Sequence, residues 1–131
     1  MPSMGSSRPR PTDAELAILR VLWEHGPSTV RHVHEVLADT RETGYTTTLK
    51  LMQIMADKGL VTRDESSRTH VYAAAVDQEH TQRQLVKDLV DRAFGGSAKA
   101  LVLRALSAED TTADELREIR KLIDDYREKR K

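Results

Sequence analysis

The stretch from Gly44 to Val61 reads GYTTTLKLMQIMADKGLV and decides the fold. Its apolar residues recur at helical spacing, Thr46 is suited to cap the first turn, and Gly59 is suited to end the helix. A β-strand pattern follows at once. A helix that begins with the threonines Thr46, Thr47 and Thr48 and runs straight into a strand is typical of the recognition helix of a winged helix, whose first turn meets base edges.

Two helices are predicted before this one. Thr12 and Glu15 form a capping box that begins the first helix, Gly26-Pro27 ends it, and Ser28 is suited to cap the second. The apolar residues expected to point inward are Leu16, Leu19, Leu22 and Trp23 in the first helix and Val30, Val33, Val36 and Leu37 in the second.

The third helix has two faces. The residues that follow the buried period are Leu49, Met52, Met55 and Ala56. Thr47, Lys50 and Ile54 share another face, at spacings of three and four. Because this helix is the third in order and a hairpin follows it, we interpret the second face as one that reads DNA rather than as a solvated helix side.

A hairpin is predicted after the third helix. Residues 60–64 and 69–75 carry β-branched or aromatic side chains, and the polar residues 65–68 lie between them. This hairpin would be the wing. Arg63 and Arg68 are placed to contact backbone phosphates, which position a protein on the duplex without reading its sequence.

The chain from Asp77 onward has a helical pattern. Gly95-Gly96 separates two helices, and a third begins at a capping box of Thr112 and Glu115 and carries a narrow apolar seam. Three such helices make a poor isolated core, so we predict a homodimer, although packing against the N-terminal domain is the alternative. The predicted dimerisation residues are Leu85, Leu89, Phe94, Leu101, Leu106, Leu116, Ile119, Ile123 and Tyr126.

The expected fold is mostly α with a small β-hairpin. We predict a disordered arm over residues 1–11, a winged helix-turn-helix over residues 12–76 and a three-helix dimerisation domain over residues 77–131. The formal net charge is zero, with 9 Lys/Arg and 9 Asp/Glu up to Val76 and 12 of each after it. Any DNA-binding cations must therefore cluster in space.

Several functional classes are excluded or disfavoured. The chain has no cysteine, which excludes disulfides, thiolate metal sites and thiol redox sensing. No apolar run approaches the ~18 residues that span a bilayer, so a cytoplasmic location is expected. No nucleophile–base pair or phosphate loop stands out, and His32 and His34 point to different helix faces, so we expect no enzyme, cofactor or metal.

Four motifs resemble the BlaI/MecI penicillinase-repressor family. They are the run from Thr12-Asp13-Ala14-Glu15-Leu16 to Leu22-Trp23, Thr29-Val30-Arg31, Tyr45-Thr46-Thr47 and Lys58-Gly59-Leu60-Val61. With this resemblance, the predicted DNA-binding residues are Thr29, Arg31, Tyr45, Thr46, Thr47, Lys50, Arg63 and Arg68.

The resemblance implies a dimeric repressor on palindromic operator DNA. It also implies relief of repression by proteolysis in the dimerisation domain, triggered by a membrane sensor metalloprotease. Two positions depart from the family, since Ile54 stands where a basic residue is typical and Thr48 where an apolar one is typical. The family's Asn-Phe cleavage site falls on Arg104-Ala105, so the resemblance does not carry over a β-lactam signal.

Two other functions fit the residues. A winged helix used for protein contact is favoured by the zero net charge and by the apolar Ile54, and a small-molecule-responsive repressor is a further variant. Salt separates DNA binding from protein contact, because phosphate contacts weaken steeply as salt rises.

Overall fold

A computed structural model describes residues 10–130, within which the chain forms six helices and three strands. The predicted arm of residues 1–11 therefore lies almost wholly outside the described residues. The elements are α1 (Asp13–His25), β1 (Ser28–Thr29), α2 (Val30–Leu37), α3 (Tyr45–Lys58), β2 (Val61–Asp64), β3 (Val71–Ala74), α4 (Gln78–Ala93), α5 (Ala98–Ala108) and α6 (Ala113–Lys129). The predicted fold class, a winged helix-turn-helix followed by three helices, is confirmed.

The small sheet contains a strand that the sequence did not predict. β3 pairs with β2 as the expected antiparallel wing, and its other edge pairs with β1, where Ser28 lies opposite Tyr72 and Thr29 opposite Val71. The prediction that Ser28 caps the second helix is wrong. Ser28 donates to the carbonyl of Gly26 at 2.8 Å instead, because it belongs to the strand, and the Thr29 hydroxyl caps α2.

The start of α3 also differs from the prediction. Gly44 occupies the N-cap position without a side-chain cap, so Thr46 does not cap the helix. The end is as predicted: Gly59 adopts a left-handed conformation at φ +83°, which glycine tolerates because it has no Cβ. Its N–H donates to the carbonyls of Ala56 and Met55, and β2 begins two residues later.

The contacts divide the chain into two compact units, one up to Gln82 and the other from Arg83. The core of the first unit joins α1, α2, α3 and the sheet, and the Trp23 indole donates to the Val76 carbonyl at 3.0 Å. Its buried hydrophobic residues are Ile18, Leu19, Val21, Leu22, Val30, Val33, Leu37, Met52, Met55, Leu60, Val61 and Tyr72. In the second unit, by contrast, none of the described residues is buried.

One charged residue lies inside the core of the first unit. Glu15 is 2% exposed, and its carboxylate accepts the N–H of Thr12 at 2.9 Å as the second half of the predicted capping box. The same carboxylate accepts two hydrogen bonds from the Lys58 ammonium, at 2.8 and 3.1 Å. Lys58 is the last residue of α3, so this ion pair joins the beginning of α1 to the end of α3.

Burial of the Glu15 carboxylate would raise its pKa, but the Lys58 charge and the hydrogen bonds from Lys58 and Thr12 lower the pKa below 4.5, its ordinary value. A carboxyl group whose pKa falls on folding stabilises the folded state at neutral pH. That stabilisation is lost as the pH falls through the lowered pKa.

We predict that Lys58→Met lowers the free energy of unfolding by about 2 kcal/mol at pH 7, because a buried carboxylate loses its charged hydrogen-bond partner. The difference from the parent protein should shrink as the pH falls from 7 to 3, towards the lowered pKa of Glu15, because a protonated carboxyl group no longer depends on the Lys58 charge. Urea unfolding followed by circular dichroism at both pH values measures it. The matched control is Lys50→Met in the same helix, which removes an exposed lysine and should change stability by less than about 0.5 kcal/mol. Equal losses at pH 7 and at pH 3 would contradict the role of the pair.

Candidate nucleic-acid interface

The two sides of α3 separate cleanly. Thr48, Met52 and Met55 are buried in the core. The exposed residues of the other side are Thr46, Thr47, Lys50, Gln53, Ile54 and Asp57. At about 100° per residue, Lys50 lies near the centre of this exposed side, opposite the buried residues. The structure therefore brings the predicted residues Thr46, Thr47 and Lys50 together on one exposed surface, which we call the α3 face.

Thr48 does not belong to the α3 face. It is completely buried, and its hydroxyl donates to the Gly44 carbonyl at 3.2 Å. The expectation that all three threonines meet base edges is therefore wrong for Thr48. The reason is geometric, because residues adjacent along a helix are rotated by about 100° and three in a row cannot share one face.

Tyr45 and Arg31 form a contact beside the α3 face. The Arg31 guanidinium lies over the Tyr45 ring, 5.5 Å from its centroid, and the His34 ring meets Tyr45 edge-on at 6.0 Å. Tyr45 is the first residue of α3 and Arg31 the second residue of α2. The cation–π contact, worth about 0.5–1 kcal/mol at an exposed site, holds a positive charge where two helices begin.

Thr29 has a structural function. Its hydroxyl oxygen accepts the N–H of His32 at 3.1 Å and caps α2. The hydroxyl hydrogen is still able to donate, for example to a phosphate oxygen. The predicted residues Thr29 and Arg31 therefore both lie at the beginning of α2, where the free N–H groups and the helix dipole favour an anion.

The two arginines of the wing differ in their surroundings. Arg63 donates to the Glu65 carboxylate at 2.7 Å. Its hydrogen bond with Tyr72, and to a smaller extent the one with Glu65, raise the pKa of Arg63. Its charge is thus partly neutralised. Arg68, in the connecting loop, has no ionic partner within residues 10–130 and is exposed. Asp64 accepts the N–H of Ser66 at 2.9 Å, which shapes that loop and lowers the pKa of Asp64.

The cations are unevenly distributed around this surface. Among the described residues neither Lys50 nor Arg31 has an ionic partner, and the Arg31 guanidinium lies over the Tyr45 ring. The acidic residue of the α3 face, Asp57, lies near the C-terminal end of the helix. Although the net charge of the chain is zero, the structure therefore leaves unpaired cations at the beginning of α2 (Arg31), on the α3 face (Lys50) and in the wing loop (Arg68).

Other kinds of site find little support. The part of the chain that the structure describes has no group of three His, Asp or Glu side chains able to hold a metal ion. His25 and His32 meet edge-on at 5.2 Å, but they are only two. None of the helices between residues 10 and 130 is long and apolar enough to cross a membrane.

Comparisons with known proteins identify the family of this chain. The penicillinase repressor family matches residues 11–125. The penicillinase repressor of Bacillus licheniformis is 21% identical over 123 residues, which cover 94% of this chain and 96% of the relative. The transcriptional regulator BlaI of Mycobacterium tuberculosis is 33% identical over 113 residues, which cover 85% of this chain and 80% of the relative.

A solved structure supports the fold. The DNA-binding domain of the repressor BlaI matches with a TM-score of 0.50 at 24% identity, over 56% of this chain and 90% of that domain. The match of the family to residues 11–125 confirms the resemblance seen in the sequence. This chain belongs to the penicillinase repressor family of winged-helix, DNA-binding transcriptional repressors.

Proposed function

We propose that this repressor binds a palindromic operator as a homodimer, with α3 in the major groove and the wing on the DNA backbone. The observation that carries the proposal is the α3 face, where Lys50 lies free at the centre of an exposed polar surface. A lysine there can donate to guanine O6 and N7, while Thr46 and Thr47 in the first turn are placed for hydrogen bonds to base edges.

Phosphate contacts would come from the elements around α3. Arg31 is held near the beginning of α2 and α3 by Tyr45, and Arg68 extends from the wing loop. Arg63 is a third candidate, although a DNA phosphate would have to compete with the Glu65 carboxylate for its guanidinium. Thr29 and Tyr45 would add hydroxyl donors. Such contacts fix the position of a protein on the duplex and supply most of the salt-dependent affinity.

The second unit supports dimerisation. No described residue from 83 to 130 is buried, so one copy of this unit has no core of its own. Many of its large apolar side chains are exposed: Val86, Leu89, Val102, Leu103, Leu116, Leu122, Ile123 and Tyr126. The others of the predicted dimerisation set, Leu85, Phe94, Leu101, Leu106 and Ile119, are only partly buried.

A groove along α4 offers a place for a second copy. It has a volume of about 460 Å³ and is lined by Leu85, Asp88, Leu89, Arg92 and Ala93. Apolar side chains of a second copy would cover its leucines. Two paired copies would link two α3 faces in one molecule, one for each half-site of a palindromic operator.

We further propose that repression ends when the C-terminal helices are cut. The candidate bond, Arg104-Ala105, lies in α5, and both residues are exposed. Cleavage there would detach α6 and the end of α5 from the remainder of the chain. The winged helices would then bind their half-sites singly and lose the affinity that linkage provides. A membrane sensor metalloprotease would deliver the cut.

A winged helix used for protein contact is the competing function. Ile54, an exposed apolar residue on the α3 face, is the observation that favours it. Membership of a repressor family favours DNA instead, and binding to an operator duplex as a function of salt separates the two.

We predict tight, sequence-preferring binding of the full chain to DNA just upstream of its own gene. If Arg31, Arg63 and Arg68 of two copies contact phosphates, log Kd should rise with log salt at a slope of about 5.

Lys50→Ala should weaken binding by about 1–3 kcal/mol per half-site while leaving the dimer intact. Fluorescence anisotropy and sedimentation measure these quantities. The control is Arg20→Ala, which removes an exposed cation of α1 and should change the affinity little. Binding that is insensitive to salt, or equal losses for both variants, would refute the arrangement.

We predict that the double variant Leu116→Glu/Ile123→Glu makes the protein monomeric, because it places two carboxylates in the seam of α6. Its affinity for the operator should fall about a hundredfold or more through lost avidity. The matched control, Arg120→Gln/Lys121→Gln, makes the same change in net charge at exposed polar positions of α6 and should stay dimeric. A monomeric variant that binds the operator as tightly as the parent protein would disprove the link between dimerisation and repression.

A further inference from the structure

The α3 face contains one aliphatic side chain that the core does not use. Ile54 is 37% exposed, whereas Met52 and Met55 beside it are completely buried. Its neighbours on the same face are the polar residues Thr47, Lys50 and Gln53. A partner that covers Ile54 must therefore offer an apolar group next to groups that accept hydrogen bonds and attract a cation.

The major groove of DNA offers that combination. The thymine C5-methyl is the apolar group exposed in this groove, and it lies among base acceptors and between anionic backbones. Lys50, one turn before Ile54, carries the charge that favours such a surface over an apolar protein partner. A cytosine at the same position would present no methyl group and would leave the isoleucine against a polar edge.

The position of Ile54 along α3 is compatible with reading a base. Thr47 and Ile54 are seven residues apart, about two turns or 10 Å along the helix axis, and are rotated by only about 20° from each other. Recognition helices that lie along the groove contact bases with side chains spread over a similar length. Ile54 and Lys50 are about 6 Å apart along the axis, which corresponds to roughly two base-pair steps.

We propose that Ile54 is a specificity-determining residue that recognises a thymine by contact with its methyl group, within about two base pairs of the base bound by Lys50. This inference rests on the proposed binding of operator DNA by the α3 face. It adds a preference for thymine over cytosine at one position of each half-site.

The experiment begins with selection of duplexes by the full chain from a library of random sequence. Each thymine of the selected site is then replaced by deoxyuridine, which lacks only the methyl group, and affinities are measured by fluorescence anisotropy. At one thymine per half-site, the replacement should weaken binding about fourfold, the factor expected for one buried methyl-sized group. The same replacement should have no effect on Ile54→Ala, whose shortened side chain does not reach the methyl.

Two further variants complete the design. Ile54→Val keeps a branched side chain and should keep part of the deoxyuridine penalty. Gln53→Ala changes the neighbouring exposed residue and should keep the penalty in full. All three substitutions are at exposed positions, so circular dichroism should show the parent fold.

The outcomes separate the two proposals. Selection of a site without a deoxyuridine penalty at any thymine, or an equal penalty for the parent and for Ile54→Ala, overturns the role of Ile54 and leaves operator binding intact. Failure to select any sequence above the random pool overturns operator binding, and the role of Ile54 falls with it.

Discussion

The ion pair between Glu15 and Lys58 is the interaction on which the arrangement of the winged helix depends. A carboxylate placed in the core costs free energy unless its oxygens find donors, and Glu15 finds them in the Thr12 backbone and the Lys58 ammonium. Because these donors belong to the beginning of α1 and the end of α3, the carboxylate is satisfied only when the end of α3 lies beside the beginning of α1. The ion pair thereby helps to hold the helix that carries the α3 face against α1, close to the point where β2 begins at Val61.

Local sequence signals predicted much of this fold. The capping boxes at Thr12 and Thr112 mark the beginnings of α1 and α6, and Gly59 ends α3, because each signal acts through hydrogen bonds within one turn. Contacts between distant residues carried no such signal. β1 is a strand only because it pairs with β3, more than forty residues later. Likewise, nothing in the sequence around Glu15 indicates Lys58, and nothing around Arg31 indicates Tyr45.

The candidate site was predictable to the extent that it follows helical periodicity. The α3 face is the side of the helix opposite its apolar stripe, and this identified Thr47, Lys50 and Ile54. Periodicity also gave a means of excluding Thr48 from that face, since it is rotated about 100° from Thr47. The pairing of Arg63 with Glu65 had a signal as well, since residues two apart on an extended chain lie on one side. The sequence held no signal that Arg68 and Lys50 would lack ionic partners, because this depends on which acidic residues the fold brings near them.

The two units of the chain differ in whether a single copy provides a buried core. The first has a closed core, whereas residues 83–130 have no buried residue within one copy. If copies pair as proposed, the folding of the C-terminal helices and their association are one equilibrium, and mass action governs both. A newly made, unpaired copy would then have a folded winged helix and C-terminal helices that are exposed to proteases. Its survival in the cell would depend on how soon it pairs with a second copy. The concentration of the repressor would thereby set how long each copy survives as well as how much of the operator is occupied.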